Sequence, residues 1–245
     1  MPKFKIIPVI DILNHTAVLA KKGERNKYKP LRSYLFQSSN PIEIIEAIKK
    51  NFNFNEFYIA DLDSIIKKTP NFQILNEILG ISDIDIILDP GIINLEDILQ
   101  YSKFKIKSLI IGLETVKSIK TIGQGLQILN QNRIIVSIDM YKGLILSNIK
   151  NLKNQNPFNI IGKIESMGVR KIILLDLYRV GQKIGGIPPL YLNILHNFKG
   201  DVYVGGGIRN YNDILEYKEH NFSGVLIATA LYDGTLNSEK LKKFH

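Results

Sequence analysis

Short apolar runs that end in the same kinds of residue occur twice along the chain, in the same order. The matching residues are Asp61 and Asp176, Gly91 and Gly207, and Gly112 and Ala228. Their separations are 115, 116 and 116 residues, respectively. The run that ends at Asp11 matches the run that ends at Asp139, and a longer loop at 21–39 accounts for the larger separation of 128 residues. The near-constant separations indicate a duplicated unit of four strands.

Short β-branched runs alternate with longer amphipathic segments, which is the pattern of strand and helix units around a parallel sheet. The sequence predicts strands at 6–11, 57–61, 84–89, 108–112, 134–139, 171–176, 202–205 and 224–228. It predicts helices at 41–50, 71–79, 95–101, 116–129, 157–167, 189–196, 210–219 and 239–244. The fold class predicted is α/β: a (β/α)8 TIM barrel built from two (βα)4 half-barrel repeats, as a single domain over residues 1–245. A doubly wound open sheet is the alternative, but it does not predict the repeat.

The composition restricts the partners of the chain. No cysteine is present, which excludes disulfides, a thiol nucleophile and thiolate metal sites. No apolar run has the length of a signal peptide or a membrane helix, so we expect a cytoplasmic protein without a membrane partner. The net charge of +9 comes from scattered lysines, which favours a phosphorylated small-molecule substrate over nucleic acid. Nothing in the sequence predicts an oligomeric state.

Five of the eight predicted strands end in aspartate, at the edge where a barrel of this type assembles its active site. An aspartate after a strand is most often a turn or helix cap. Strands 1 and 5 lie opposite each other in a ring of eight, so Asp11 and Asp139 should face one another across the barrel mouth. One carboxyl group could then donate a proton while the other accepts one. We therefore predict that Asp11 and Asp139 are catalytic.

A second signal lies at the ends of strands 7 and 8. Gly205, Gly206 and Gly207 let bare backbone N–H groups approach an anion. Ala228 and Thr229 add a hydroxyl group and the first N–H groups of a helix. A phosphate site after strands 7 and 8 is frequent in this fold, and we predict one here.

Other chemistries lack support in the sequence. His15, His196, His220 and His245 show no metal-ligand spacing, so no metal site is predicted. No lysine ends a strand, which argues against a Schiff-base aldolase. The glycine-rich loop after strand 6, which contains Gln182, is interpreted as a lid or a substrate contact.

Together these residues resemble the HisA/HisF family of histidine biosynthesis, over essentially the whole chain. The resemblance implies that Asp11 is the general base and Asp139 the general acid of a sugar-phosphate isomerase (phosphoribosylformimino-AICAR ribotide isomerase-like). The acid would open the ribosyl ring to a Schiff base, and the base would take the C2′ proton in an Amadori rearrangement, without a cofactor. The family's phosphate site corresponds to Gly206, Gly207, Ala228 and Thr229.

The chain also departs from that family. The family's second phosphate site is replaced here by Asp89-Pro90-Gly91 and Gly112-Leu113, and the Asp89 carboxylate would repel phosphate. Val180-Gly181-Gln182 replaces an Asp-Gly-Thr motif, and no tryptophan is present to stack on a substrate base. The loop 23–31, which contains Arg25, resembles that of a related subgroup in methanogens and methylotrophs, which tends to be associated with methanopterin-type cofactor pathways.

Three functions therefore remain open. The chain is the histidine-pathway isomerase or a close relative acting on a phosphoribosyl compound, or a paralogue with one phosphate anchor in methanopterin-type one-carbon cofactor biosynthesis. The third is a non-catalytic ligand-binding barrel, against which the aspartate pair argues. Further candidate substrate contacts are Arg25, Asp61, Asp176 and Gln182.

Overall fold

The computed structural model describes residues 3–241 and residue 244. Within these residues, eight parallel strands form the predicted barrel: β1 (Lys5–Leu13), β2 (Glu56–Asp61), β3 (Asp85–Asp89), β4 (Ser108–Gly112), β5 (Ile134–Tyr141), β6 (Lys171–Asp176), β7 (Asp201–Gly205) and β8 (Gly224–Ile227). Each strand pairs with the next along the chain. β8 closes the ring against β1, with Leu226 opposite Ile7. The (β/α)8 fold is thereby confirmed.

Helices cover the outside of the barrel. In the described chain they are α1 (Pro41–Phe52), α2 (Leu62–Lys67), α3 (Phe72–Leu79), α4 (Leu95–Tyr101), α5 (Lys120–Leu129), α6 (Phe158–Ser166), α7 (Pro189–Asn197), α8 (Tyr211–Glu219), α9 (Thr229–Tyr232) and α10 (Ser238–Leu241). A short 3-10 turn lies at Arg25–Lys27. Three short strands extend the sheet near the mouth, at Thr16–Leu19, Lys29–Pro30 and Leu144–Ile145.

Two predicted helices differ from the structure. The helix predicted at 116–129 begins only at Lys120, because the N–H of Val116 bonds to the carbonyl of Gly112 and that of Lys117 to the carbonyl of Ile93. The first bond closes a single turn, and the second ties the segment to the loop after β3, so the regular helix begins later. For the helix predicted at 239–244, the structure has Ser238–Leu241, and residues 242 and 243 lie outside the described residues, as does His245.

The side chains of each strand alternate between two apolar layers. One layer lies between the sheet and the helices; the other fills the barrel interior. Along β5, Ile135 points inward, whereas Val136 and Ile138 point toward the helices. Because alternation has a period of two, Ser137 and Asp139 share the inward side with Ile135. This register decides which strand-end residues face the mouth.

The two halves share details of their backbone as well as their strand order. Gly91 and Gly207 both have positive φ, at 69° and 90°. Three residues later, Asn94 and Asn210 begin α4 and α8 with reciprocal capping boxes, whose partners are Asp97 and Asp213. Each box satisfies N–H groups that a helix start leaves unpaired. The same local construction 116 residues apart agrees with a duplicated half-barrel.

Candidate active site

A cavity of about 110 Å³ opens at the carboxyl ends of the strands. Asp11, at the mouth end of β1, and Asp139, at that of β5, both line it. The structure therefore brings the two predicted catalytic carboxyl groups to one cavity from opposite sides of the ring. The Asp11 carboxylate accepts no hydrogen bond from the described chain, which leaves it available to a ligand.

Asp139 is held rigidly. Its side chain is 5% exposed, and its Oδ1 accepts a hydrogen bond from the Ser137 hydroxyl at 2.7 Å. Its Oδ2 accepts one from the backbone N–H of Glu114 at 3.2 Å. A Cβ atom at Gly112 would lie 3.0 Å from the same oxygen, so glycine is needed there for the close approach of Asp139.

A third carboxyl group, Asp89 at the end of β3, lines the same cavity. It accepts hydrogen bonds from the Tyr58 hydroxyl at 2.8 Å and from the N–H of Gly91 at 3.1 Å. Burial and the neighbouring Asp89 raise the pKa of Tyr58 well above its usual value, so this hydroxyl remains a donor. The arrangement leaves Asp89 close to both predicted catalytic aspartates.

The electrostatics of these groups suit proton transfer near neutral pH. Burial, and then the charge of Asp89, raise the pKa of Asp11 to about 7, although Arg25 opposes the shift. Burial, with Glu114 and Asp89, raises the pKa of Asp139 well above its usual range. Burial raises the pKa of Asp89 to about 6. Carboxyl groups with such values can be protonated or ionised at pH 7, as general acids and bases need to be.

The loop after β1 crosses the mouth and is joined to the loop after β4. The Arg25 Nη2 atom lies 2.7 Å from both carboxylate oxygens of Glu114. The N–H of Lys22 also bonds to the carbonyl of Val180, in the loop after β6, at 2.9 Å. The loop thus narrows the cavity, which is smaller than the roughly 300–1,000 Å³ of most ligand pockets.

The opposite part of the cavity carries the predicted phosphate site. Gly205, Gly206, Gly207, Ala228 and Thr229 all line it. The N–H groups of Gly206 and Gly207 donate to no other group in the part of the chain that the structure describes. Thr229 begins α9, whose first N–H groups have no acceptor within the helix.

Only one of the four other predicted substrate contacts lines the cavity. Arg25 lines the cavity, whereas Asp61, Asp176 and Gln182 do not. Asp61 accepts the N–H groups of Ser64 and Asn71 at 3.0 and 2.8 Å, which is the role of a helix cap. Asp176 likewise accepts three backbone N–H groups, the shortest from Gly143 at 2.8 Å.

Sequence reasoning missed five residues that line the cavity: Tyr28, Tyr58, Asp89 (which was taken only as an obstacle to phosphate), Glu114 and Lys183. Lys183 bonds to Asp233 at 2.8 Å and to Thr235 at 2.6 Å, in the segment after α9. A signal existed for Asp89, because it ends a strand as Asp11 does. Tyr28 and Lys183 lie in the two loops that the sequence had singled out, whereas nothing in the sequence marks Tyr58 or Glu114 as a cavity residue.

The described residues contain no group of three or more histidine, aspartate or glutamate side chains arranged to hold a metal ion. Two of the described histidines make local contacts: His15 is 3.1 Å from the Asn71 amide, and His220 is 2.9 Å from the Glu216 carbonyl. Every helix in residues 3–241 is too short or too polar to cross a membrane.

Comparison with known proteins gives a consistent picture. The family model described as histidine biosynthesis protein matches residues 5–237. An uncharacterized protein of Methanocaldococcus jannaschii is 35% identical over 97% of each chain. The 1-(5-phosphoribosyl)-5-((5-phosphoribosylamino)methylideneamino)imidazole-4-carboxamide isomerase of Lactococcus lactis subsp. cremoris is 27% identical over 96% of this chain and 94% of its own. The isomerase of the same name from Streptococcus thermophilus is 28% identical over 98% of this chain and 99% of its own.

Proposed function

The chain belongs to the histidine biosynthesis (HisA/HisF) family, and from this we propose that it is a cytoplasmic, cofactor-independent isomerase of a phosphoribosyl compound. The reaction is an Amadori-type aldose–ketose isomerisation like that of the related bacterial enzymes. One observation carries the proposal. Two carboxyl groups with raised pKa values, the half-buried Asp11 and the buried Asp139, line opposite sides of one cavity that also contains free backbone N–H groups.

The proposed chemistry uses one proton donor and one acceptor. Asp139 protonates the ribosyl ring oxygen, the C1′–O bond breaks, and a Schiff base forms between C1′ and the amine nitrogen. Asp11 then removes the C2′ proton, and the electron pair moves to the C1′–C2′ bond, giving an enolamine. Loss of the 2′-hydroxyl proton and protonation of C1′ give the aminoketose. No atoms are gained or lost, so the reaction requires no oxidant or cofactor.

A second candidate function is favoured by the residues at the ends of β3 and β4. Asp89 and Glu114 put carboxylates where a second phosphate would have to bind, and the N–H groups of Gly91 and Glu114 already donate to Asp89 and Asp139. A substrate with one phosphate fits this arrangement better than one with two. The corresponding proposal is a paralogue that acts on a monophosphate in methanopterin-type cofactor biosynthesis.

The test is complementation of a bacterial strain that lacks the histidine-pathway isomerase. Under the first proposal the chain restores growth without histidine, whereas Asp11→Asn and Asp139→Asn do not. In the purified enzyme each variant should lose roughly 10²–10⁴-fold in turnover, the usual contribution of general acid–base catalysis. Asp176→Asn is the control, because Asp176 also ends a strand but lies outside the cavity.

The outcomes separate the candidates. A wild-type chain that is folded and expressed but does not restore growth contradicts the first proposal and favours the second. If either cavity variant keeps more than about a tenth of the wild-type rate, the acid–base role of that residue is wrong.

A further inference from the structure

Arg179, in the loop after β6, holds a guanidinium group beside the phosphate site. Its Nη2 atom donates to the carbonyl oxygens of Gly185 at 2.7 Å and Gly186 at 2.9 Å. Its Nε atom is buried and has no hydrogen-bond partner among the described residues. A buried donor without an acceptor is unfavourable, so its presence calls for an explanation.

The charge of Arg179 has no counter-ion in residues 3–241, because the nearby acidic groups have other partners. Asp176 accepts three backbone N–H groups, and Asp213 pairs with Arg209. Asp233 pairs with Lys183. The hydroxyls of Tyr191 and Tyr217, which also face this region, are uncharged because burial raises their pKa values. A partly buried cation whose only acceptors are neutral carbonyls can still attract an anion.

The guanidinium packs against the loop that carries the free N–H groups. A Cβ atom at Gly207 would lie 3.0 Å from Nε and 3.2 Å from Nη2 of Arg179. Gly207 also accepts a hydrogen bond from the N–H of Gly185 at 2.9 Å. On the adjacent residue, a Cβ atom at Gly206 would lie 3.1 Å from the Val180 side chain. The loop after β6 thus supports the backbone of Gly206 and Gly207 from one side.

We infer that Arg179 is a positioning residue for the substrate phosphate: it holds the loop after β6 in place through Gly185 and Gly186, packs against Gly207, and its unpaired charge attracts the anion to the N–H groups of Gly206 and Gly207. This inference rests on the phosphate site of the proposed function. It assigns the electrostatic attraction to a residue outside the cavity lining. Arginine suits the position because its Nη2 atom bonds two carbonyls while the guanidinium group keeps its charge.

The experiment measures the binding of inorganic phosphate to the full chain by calorimetry. Arg179→Met should weaken the affinity on the order of tenfold, since it removes the positive charge that packs against Gly207 of the phosphate site. Arg179→Lys, which keeps the charge, should restore most of that loss. Arg209→Met is the matched control: Arg209 lies nearby but is exposed and paired with Asp213, and its removal should leave the affinity unchanged. If Arg179→Met does not fold, Arg179→Gln replaces it as the uncharged variant.

Phosphorus NMR of the bound phosphate distinguishes an electrostatic role of Arg179 from a purely structural one. The charge of Arg179 should keep bound phosphate dianionic to a lower pH in the wild type than in Arg179→Met. If the variant binds phosphate as tightly as the wild type, or more weakly but with the same protonation midpoint, the inference is wrong and the phosphate site stands. If the folded wild type binds no phosphate, the phosphate site fails and the inference with it.

Discussion

Asp11 carries a carboxyl group that burial keeps partly protonated near neutral pH. Its pKa is about 7 in the folded chain, against roughly 3.9 in an unfolded one. The folded state therefore binds this proton more tightly. The resulting stabilisation is complete below about pH 4 and is lost as the pH rises through about 7.

The substitution Asp11→Asn should accordingly raise the free energy of unfolding at pH 8, because asparagine cannot ionise. The gain is at most about 4 kcal/mol and should shrink toward pH 5. Denaturant unfolding at the two pH values measures it. Asp176→Asn should instead lower the free energy of unfolding, because the new amide NH2 group would face the N–H donors around that side chain. A variant at Asp11 that is less stable than the wild type at pH 8 would show that this carboxylate stabilises the fold.

The strand-end aspartates show what the sequence could reveal about the site. Asp11, Asp89 and Asp139 line the cavity, whereas Asp61 and Asp176 follow inward-facing Ala60 and Leu175 and therefore point away from it. One step of strand alternation separates the two groups. That step is invisible in the sequence because parallel strands are apolar on both faces. The position of each aspartate along the chain could be predicted, but not the direction of its side chain.

The sequence also predicted only some of the helices and loop contacts. All eight barrel strands were predicted because each is a short run of mostly apolar residues. The six-residue helix α2 and the four-residue helix α9 were missed, since each is too short to show a helical period. α2 begins directly after β2 because the Asp61 side chain caps the N–H of Ser64. The contact between Arg25 and Glu114 joins residues 89 positions apart, and no local pattern could predict it.

The loop after β1 should open more readily when that contact is removed. Arg25 and Glu114 are each a little over a quarter exposed, so their ion pair is a modest one. Glu114→Gln should increase amide hydrogen exchange in residues 21–31 roughly two- to fivefold, as measured by mass spectrometry. Glu24→Gln is the control, because Glu24 pairs with Lys27 inside the same loop. Equal exchange in Glu114→Gln and the wild type would mean that other contacts hold the loop closed.

The barrel as a whole should bind anions on one side only. Crystals soaked in phosphate or sulfate should show the anion at Gly206, Gly207 and Thr229, where N–H groups and a hydroxyl converge. No anion should bind at residues 89–91, because a carboxylate occupies that end and the N–H of Gly91 already donates to it. The measurement is the occupancy of the two positions in the electron density. Comparable density at both would refute a single phosphate site.

The reciprocal capping pairs, Asn94 with Asp97 and Asn210 with Asp213, fix the same backbone course in both halves. Neither pair lines the cavity. Asp89 and Glu114 line it in the first half, whereas Gly206, Gly207 and Thr229 line it in the second. The positions that secure folding are therefore separate from the positions that choose a ligand. Substitutions can therefore change the ligand of such a barrel during evolution while the capping residues continue to stabilise its fold.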